Sequence, residues 1–504
     1  MTKIQNPAIW ADVPDIDTIR VGDTYYMVST SMHSMPGCPI MKSKDLAHWE
    51  LHCYVYDSFE DNASHNLEDE KGIYSNGSWA ASLRYHNGCG YVVFNCNDTR
   101  HFYVYKTEDM ESGKWERIAR LDAFMHDPAL FFEDDGTPYI IYGNGNIYIV
   151  EMEKDLTGIK EGGINQLLFS TPRENIMLPC EGGHAYKING IYYNIYIEWP
   201  KDGNQRRRVI CYRSKELLGP YERKLILDDD MGYMNRGIAQ GCIFDTPAGD
   251  WYAMLFQDHH AVGRIPYVLP MTWEDGWPVI GIDGKTPQEF EVDLPETESF
   301  PLVISDEFDY KENKLALQWQ WNHNPNPAGW SVVEKPGYLR LRTVKTVSSG
   351  IWGAQNTLTQ RTEGPSCEAV TKISLEGIKA GDSAGIVALQ GKFALAGVRK
   401  AEDGTVQVVM CDRGEGVSEH VVEAVAYDET EIYLKAHFDF EESVDKVYFC
   451  YSSDGINWKQ IGKGHKLIYT LEHFMGCRIG LYCYATKEVG GYADFEYFKY
   501  NRYM

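Results

Sequence analysis

Asn189-Gly-Ile-Tyr-Tyr-Asn-Ile-Tyr196 is a glycine turn that runs straight into an aromatic, β-branched strand, and the same arrangement occurs five times in the first 300 residues. Its counterparts are Val21-Gly-Asp-Thr-Tyr-Tyr-Met-Val28, Asn87-Gly-Cys-Gly-Tyr-Val-Val-Phe94, Asp135-Gly-Thr-Pro-Tyr-Ile-Ile-Tyr142 and Ala248-Gly-Asp-Trp-Tyr-Ala-Met-Leu255. Tight hairpins need positive φ, which glycine adopts freely, so Gly22, Gly88, Gly136, Gly190 and Gly249 read as corresponding turns. They recur roughly every 50 to 65 residues, the length of a four-stranded sheet with its loops. A second echo follows four of them: Ser43-Lys-Asp-Leu46, Thr107-Glu-Asp-Met110, Glu153-Lys-Asp-Leu156 and Ser214-Lys-Glu-Leu217 read as one recurrent outer turn. No long helical period intervenes. The expected architecture is all-β, with a five-bladed β-propeller first; a large sandwich with coincidental turns is the alternative.

Thr286-Pro-Gln-Glu-Phe-Glu-Val-Asp-Leu-Pro-Glu-Thr-Glu-Ser-Phe-Pro301, with its prolines and acids, reads as a linker. The propeller is therefore assigned to residues 1–300 and an accessory β-sandwich to 301–504. Tyr338-Leu-Arg-Leu-Arg-Thr343, Glu431-Ile-Tyr-Leu-Lys-Ala-His-Phe438 and Lys446-Val-Tyr-Phe-Cys-Tyr451 supply its strand patterns.

Composition narrows the function. Lys and Arg total 48 against 73 Asp and Glu, a net charge of -25, which repels nucleic acid phosphates and anionic lipid. No nucleic acid or membrane partner is expected. The 34 Tyr and 13 Trp suit sugar faces, although β-strand propensity alone enriches them. The twelve cysteines lack paired metal-site spacing. The opening Met1-Thr-Lys-Ile-Gln5 shows no apolar leader, so a cytoplasmic protein is expected; a homo-oligomer is possible.

A propeller's innermost strands line its central channel, so residues at equal distance before each turn meet at one mouth. Trp79, Asp127, Glu181 and Gln240 each stand nine residues before their glycine, and Asp15 stands seven before Gly22. Taken singly, Asp15 and Asp127 read as turn residues beside proline. Their common phase points instead to three converging carboxyls with no obvious basic cluster, an arrangement suited to catalysis. Two carboxyls flanking a glycosidic bond suffice for hydrolysis, and a third tunes the acid. Arg264 reads either as a fork for sugar hydroxyls or as a surface ion pair.

Asn6-Pro7, Pro14-Asp-Ile-Asp-Thr-Ile-Arg-Val-Gly-Asp-Thr-Tyr-Tyr26, His126-Asp-Pro-Ala-Leu-Phe-Phe-Glu-Asp-Asp-Gly136 and Glu181-Gly-Gly-His-Ala-Tyr-Lys187 resemble glycoside hydrolase family 43. The later half, around Gly350-Ile-Trp-Gly-Ala-Gln-Asn-Thr-Leu358, is similar to the jelly-roll, concanavalin-A-like domain of its longer members. The resemblance implies Asp15 as general base, Asp127 as pKa modulator and Glu181 as general acid, with inversion of configuration. It implies sugar contacts at Trp79 and Arg264; Met32 and Gln240 complete the expected substrate-binding set. Gly183 replaces a family proline, which is expected to loosen the acid's loop, and Gln240 replaces a channel histidine. No metal or cofactor is therefore expected. The expected activity is exo-acting α-L-arabinofuranosidase on arabinose- or xylose-containing oligosaccharides, with β-D-xylosidase or both activities as the near alternative. A non-catalytic carbohydrate-binding protein is the alternative of another class.

Overall fold

A computed structural model describes residues 1–201 and 206–503; Met504, the last residue assigned to the second domain, lies outside them. Five four-stranded antiparallel sheets form the propeller. Blade 1 comprises Asp17–Val21, Thr24–Val28, Gly37–Ser43 and Glu50–Tyr56. The innermost strands of blades 2 to 5 are Ser78–His86, Ala129–Phe132, Ile176–Ile188 and Ala239–Asp245. Each of the five predicted glycines turns the innermost strand into its neighbour, with φ between 65° and 92°. A Cβ at Gly22, Gly88, Gly190 or Gly249 would meet nothing within 4 Å. Backbone conformation alone, not crowding, therefore selects glycine at those four positions. The Ser43, Thr107, Glu153 and Ser214 segments join the third strand of a blade to its fourth.

The segment read as a linker has structure of its own. Glu289–Val292 pairs antiparallel with Thr2–Gln5, so the two ends of the propeller region are fastened together by backbone hydrogen bonds. Val292 and Ile4 are buried in the same apolar cluster, alongside Met27 and Met254 of blades 1 and 5.

The second half is a sandwich of two antiparallel sheets, with alternating burial in strands such as Glu431–Asp439 placing Ile432, Leu434, Ala436 and Phe438 between them. Among the described residues the only helical turns are four 3-10 segments of three or four residues, and no helix is long and apolar enough to cross a membrane. The two bodies interlock. Ser34–Met35, from the loop inside blade 1, is the edge strand of the eight-stranded sandwich sheet, paired with Trp321 and Asn322. One apolar cluster runs from Ile195 and Leu255 of the propeller to Leu358 and Phe498 of the sandwich.

Candidate active site

Local irregularity, rather than regular strand, presents the in-phase residues. The innermost strands carry register shifts between Ser78 and Ala81, between Glu181 and His184, and between Ala239 and Gly241. A bulge turns a side chain out of the alternating pattern, and these three fall on Trp79, Glu181 and Gln240. Asp15, Asp127 and Gln240 also adopt left-handed backbone, with φ of 52°, 46° and 63°. Such conformations are unfavourable for residues with a Cβ and concentrate at functional sites.

Asp15 is buried at 7% exposure and Arg264 at 4%. Nη1 of Arg264 donates to both carboxylate oxygens of Asp15, at 2.8 and 2.9 Å, and Nε2 of Gln240 donates to Oδ1 at 2.9 Å. Burial pushes the Asp15 pKa up, while the charges of Arg264 and then Arg207 oppose it. Arg264 is an ion-pair partner as one alternative had it, but a buried rather than a surface one, and its Nη2 turns to the carbonyl of Phe474.

The other two carboxyls lie together with a histidine. Nε2 of His126 stands 3.1 Å from Oε2 of Glu181 and 3.5 Å from Oδ2 of Asp127. Asn144 Nδ2 donates to the same Glu181 oxygen, and the Gly182 N–H donates to Asp127 Oδ2 at 2.8 Å. The Asp127 pKa is raised by burial, with His126 opposing and Glu181 adding to the rise. The charge of Asp127, then those of Glu181 and Asp15, lifts His126 to about 9 against the effect of its own burial. The expectation of three acids without basic companions is corrected here: two cations, His126 and Arg264, touch them.

Trp79 stands on the rim, its indole N–H bonded to the Ser75 carbonyl at 2.7 Å and its ring centroid 6.0 Å from that of His126. On its other side lies Phe474, 5.6 Å away, which the sandwich sends across the propeller mouth; Arg264 stacks on the same ring at 4.9 Å. Met32, by contrast, is 1% exposed, and its carbonyl receives the Ser78 N–H. Its side chain offers no surface to a ligand. A Cβ at Gly183 would lie 2.7 Å from Cε1 of Tyr196, which fills the space a larger residue would need.

Sequence reasoning missed His126, Asn144, Phe474 and Asp12. The Asp12 carboxylate accepts the Arg264 N–H on one oxygen and the Gly476 N–H on the other, both at 2.7 Å. Arg84 of blade 2 reaches Asp17 of blade 1 at 2.7 Å and the Ala185 carbonyl of blade 4 at 3.4 Å, so one cation links three blades. His126, Asp127 and Glu181 bring one donor atom each within 4.8 Å of one another, a spacing a metal ion could bridge. Their donors are instead bonded to each other, to Asn144 and to Gly182.

Comparison with known proteins accords with this geometry. Residues 4–278 match the family model of glycosyl hydrolases family 43, and residues 305–501 match that of the β-xylosidase C-terminal concanavalin A-like domain. A β-xylosidase of Formosa agariphila is 31% identical over 98% of this chain and 90% of its own. A non-reducing-end α-L-arabinofuranosidase of Bacteroides ovatus is 29% identical over 67% of this chain and 64% of its own. Among solved structures, a bifunctional GH43-CE protein of Bacteroides eggerthii superposes with a TM-score of 0.93 at 45% identity; this chain is covered completely and spans 64% of that longer one.

Proposed function

The chain belongs to glycoside hydrolase family 43, and within that family we propose that it is an inverting exo-glycosidase removing single terminal pentosyl residues, α-L-arabinofuranosyl and β-D-xylosyl, through one pocket. The observation that carries this reading is the unequal treatment of two carboxyls on different blades. Asp15 is bound to a guanidinium and an amide, which fix its orientation and oppose its protonation. Glu181 instead shares its surroundings with a second carboxyl, Asp127, and with the titratable ring of His126.

The steps follow from those surroundings. Asp15 accepts a proton from water as the water oxygen attacks the anomeric carbon. Burial raises its basicity, and the charge of Arg264 opposes that rise. Glu181 gives its proton to the departing oxygen as the glycosidic bond breaks. Asp127, fixed by the Gly182 N–H, places a second carboxyl beside this pair. Terminal action is supported by Phe474, which packs on both Trp79 and Arg264 and so narrows the mouth.

Preference for xylosyl over arabinofuranosyl residues is the second reading, favoured by the near full-length similarity to a protein named β-xylosidase. One experiment tests both. Purified enzyme is given nitrophenyl α-L-arabinofuranoside and nitrophenyl β-D-xylopyranoside, and the first-formed sugar is followed by proton NMR. Inverted product from both is expected. Retained configuration would remove Asp15 as a base acting on water, and turnover of xyloside alone would select the second reading.

A further inference from the structure

Most arginines of the propeller are neutralised where they stand: Arg20 by Asp245, Arg117 by Glu60, Arg207 by Asp258 and Arg223 by Glu198. Arg100 and Arg173 differ. Among the described residues no carboxylate oxygen lies within 4.0 Å of either guanidinium, and both residues are exposed. A chain of net charge -25 has acids to spare, so the position of two unpaired guanidiniums carries information. Both stand on the Glu181 side of the mouth. On the Asp15 side the guanidinium is already engaged, because Arg264 is bound to Asp15 itself.

Arg100 adopts left-handed backbone, with φ of 58°, in the turn between Cys89–Cys96 and His101–Thr107 of blade 2. That turn is tied to the segment leading into Trp79: the Asn97 N–H donates to the Gly77 carbonyl at 3.1 Å and the Asp98 N–H to that of Asn76 at 2.7 Å. The Arg100 guanidinium lies 3.5 Å from the centroid of the Phe124 ring. That centroid is 6.4 Å from the one of His126, whose Nε2 reaches Glu181 at 3.1 Å. Arg173 approaches from the segment before the innermost strand of blade 4. A Cβ at Gly145 would lie 2.8 Å from its Nη2, so this guanidinium rests against the neighbour of Asn144, whose amide donates to Glu181.

We propose that Arg100 and Arg173 form an acid-recognising rim around the leaving group, and that the preferred substrate is a pentosyl oligosaccharide whose departing portion carries a uronic-acid carboxylate. This rests on the reading of Glu181 as proton donor to the departing oxygen, which puts the leaving-group side beside His126 and Asn144. Stacking on Phe124 engages one face of the Arg100 guanidinium and leaves its in-plane N–H fork free for two parallel bonds to a carboxylate. The stack also restricts the side chain beforehand, so less freedom is lost on binding. The overall negative charge does not forbid such a ligand. At physiological ionic strength, exposed charges more than about 8 Å away are largely screened, so the nearest guanidinium governs a single carboxylate.

Two oligosaccharides of the same linkage test the rim: one with a glucuronosyl branch on the sugar that follows the scissile bond, and one in which that carboxyl is reduced to the alcohol. Wild-type kcat/KM is expected to be about 10-fold higher on the acidic substrate, the effect of hydrogen bonds to a charged group at an accessible site, and added salt should shrink the preference. Arg100→Gln and Arg173→Gln should each reduce the preference about 3-fold, chiefly through KM, with the reduced oligosaccharide and the nitrophenyl pentosides unaffected. Equal values in the wild type, a preference that survives both substitutions, or equal loss on both oligosaccharides in the folded variants overturns the proposal. Failure of the wild type to release pentose from nitrophenyl pentosides would instead remove the exo-glycosidase reading. The rim is then judged by calorimetric binding to full-length Asp15→Asn. Tighter binding of the acidic oligosaccharide, lost when Arg100→Gln is added, upholds the arginines' role; equal affinity for the two overturns it.

Discussion

Arg264→Met is the sharpest perturbation of Asp15, the proposed base. The substitution keeps an unbranched side chain but removes the guanidinium from a pair in which both partners are more than nine-tenths buried. Asp15 would retain one amide donor, Gln240, with the like charge of Asp12 nearby. Leaving a buried charge without its partner typically destabilises by about 3–5 kcal/mol; the surviving Gln240 bond and the charge of Arg207 place this case at the lower end. Unfolding entropy of about 2.1 cal/mol/K per residue amounts, for a chain of 504 residues, to about 1 kcal/mol/K. The melting temperature should therefore fall by about 3 °C. Adding Asp15→Asn removes the stranded charge, so the double variant should be more stable than Arg264→Met alone. In the single variant nothing equal to Arg264 opposes burial, the Asp15 pKa rises further, and the base is protonated over more of the acid range. Activity should be lost most at low pH and partly recover as pH increases. Calorimetry on the three variants and a pH profile of kcat/KM decide the matter. A double variant no more stable than Arg264→Met would show that the loss comes from packing rather than charge, and an unmoved acid limb would sever Arg264 from the base.

Two further outcomes are expected. Gly182→Ala should cut kcat about 10-fold and lower stability by about 1–2 kcal/mol, because the backbone there is left-handed (φ 64°) and the new Cβ would lie 2.7 Å from Cδ of Gln240, displacing its bond to Asp15; unchanged steady-state kinetics would refute that coupling. Exhaustive chelation should leave the rate unaltered, since the carboxyl and imidazole donors bond to one another; loss of activity restored by calcium would show that His126, Asp127 and Glu181 bind an ion.

The propeller was legible because its signal is local. At Gly22, Gly88, Gly190 and Gly249 only the backbone demands glycine, so the demand is visible in each turn without knowledge of what packs there. The pairing of Thr2–Gln5 with Glu289–Val292 and the docking of Ser34–Met35 on the sandwich carry no such mark. Four-residue and two-residue strands have too short a pattern to separate from loop, and their partners lie hundreds of residues away. The site divides in the same manner. Phase relative to the turns aligned Asp15, Trp79, Asp127, Glu181 and Gln240. Phase could not find the counter-charges: His126 is one residue out of step and reaches the site because of a left-handed neighbour, and Arg264 enters from the third strand of blade 5. The burial of Met32 is a tertiary property that its position after a strand does not reveal.

Asp12 ties the propeller and the sandwich together beside Asp15 and Arg264. Its two oxygens are divided between the Arg264 N–H, inside the propeller, and the Gly476 N–H, at the end of the sandwich segment that carries Phe474. Its own carbonyl receives Nε of Arg361 from the sandwich sheet at 3.0 Å. A Cβ at Gly263 would stand 2.3 Å from the Asp12 carboxylate, and one at Gly476 would stand 2.7 Å from its Cβ, so glycine on both flanks allows the close approach. A buried carboxylate bonded through both oxygens holds its orientation. The residue that fixes the backbone of the base's partner therefore also fixes the aromatic cover over that partner, and displacement of the sandwich acts on Asp15 through two hydrogen bonds rather than through contact with the sugar.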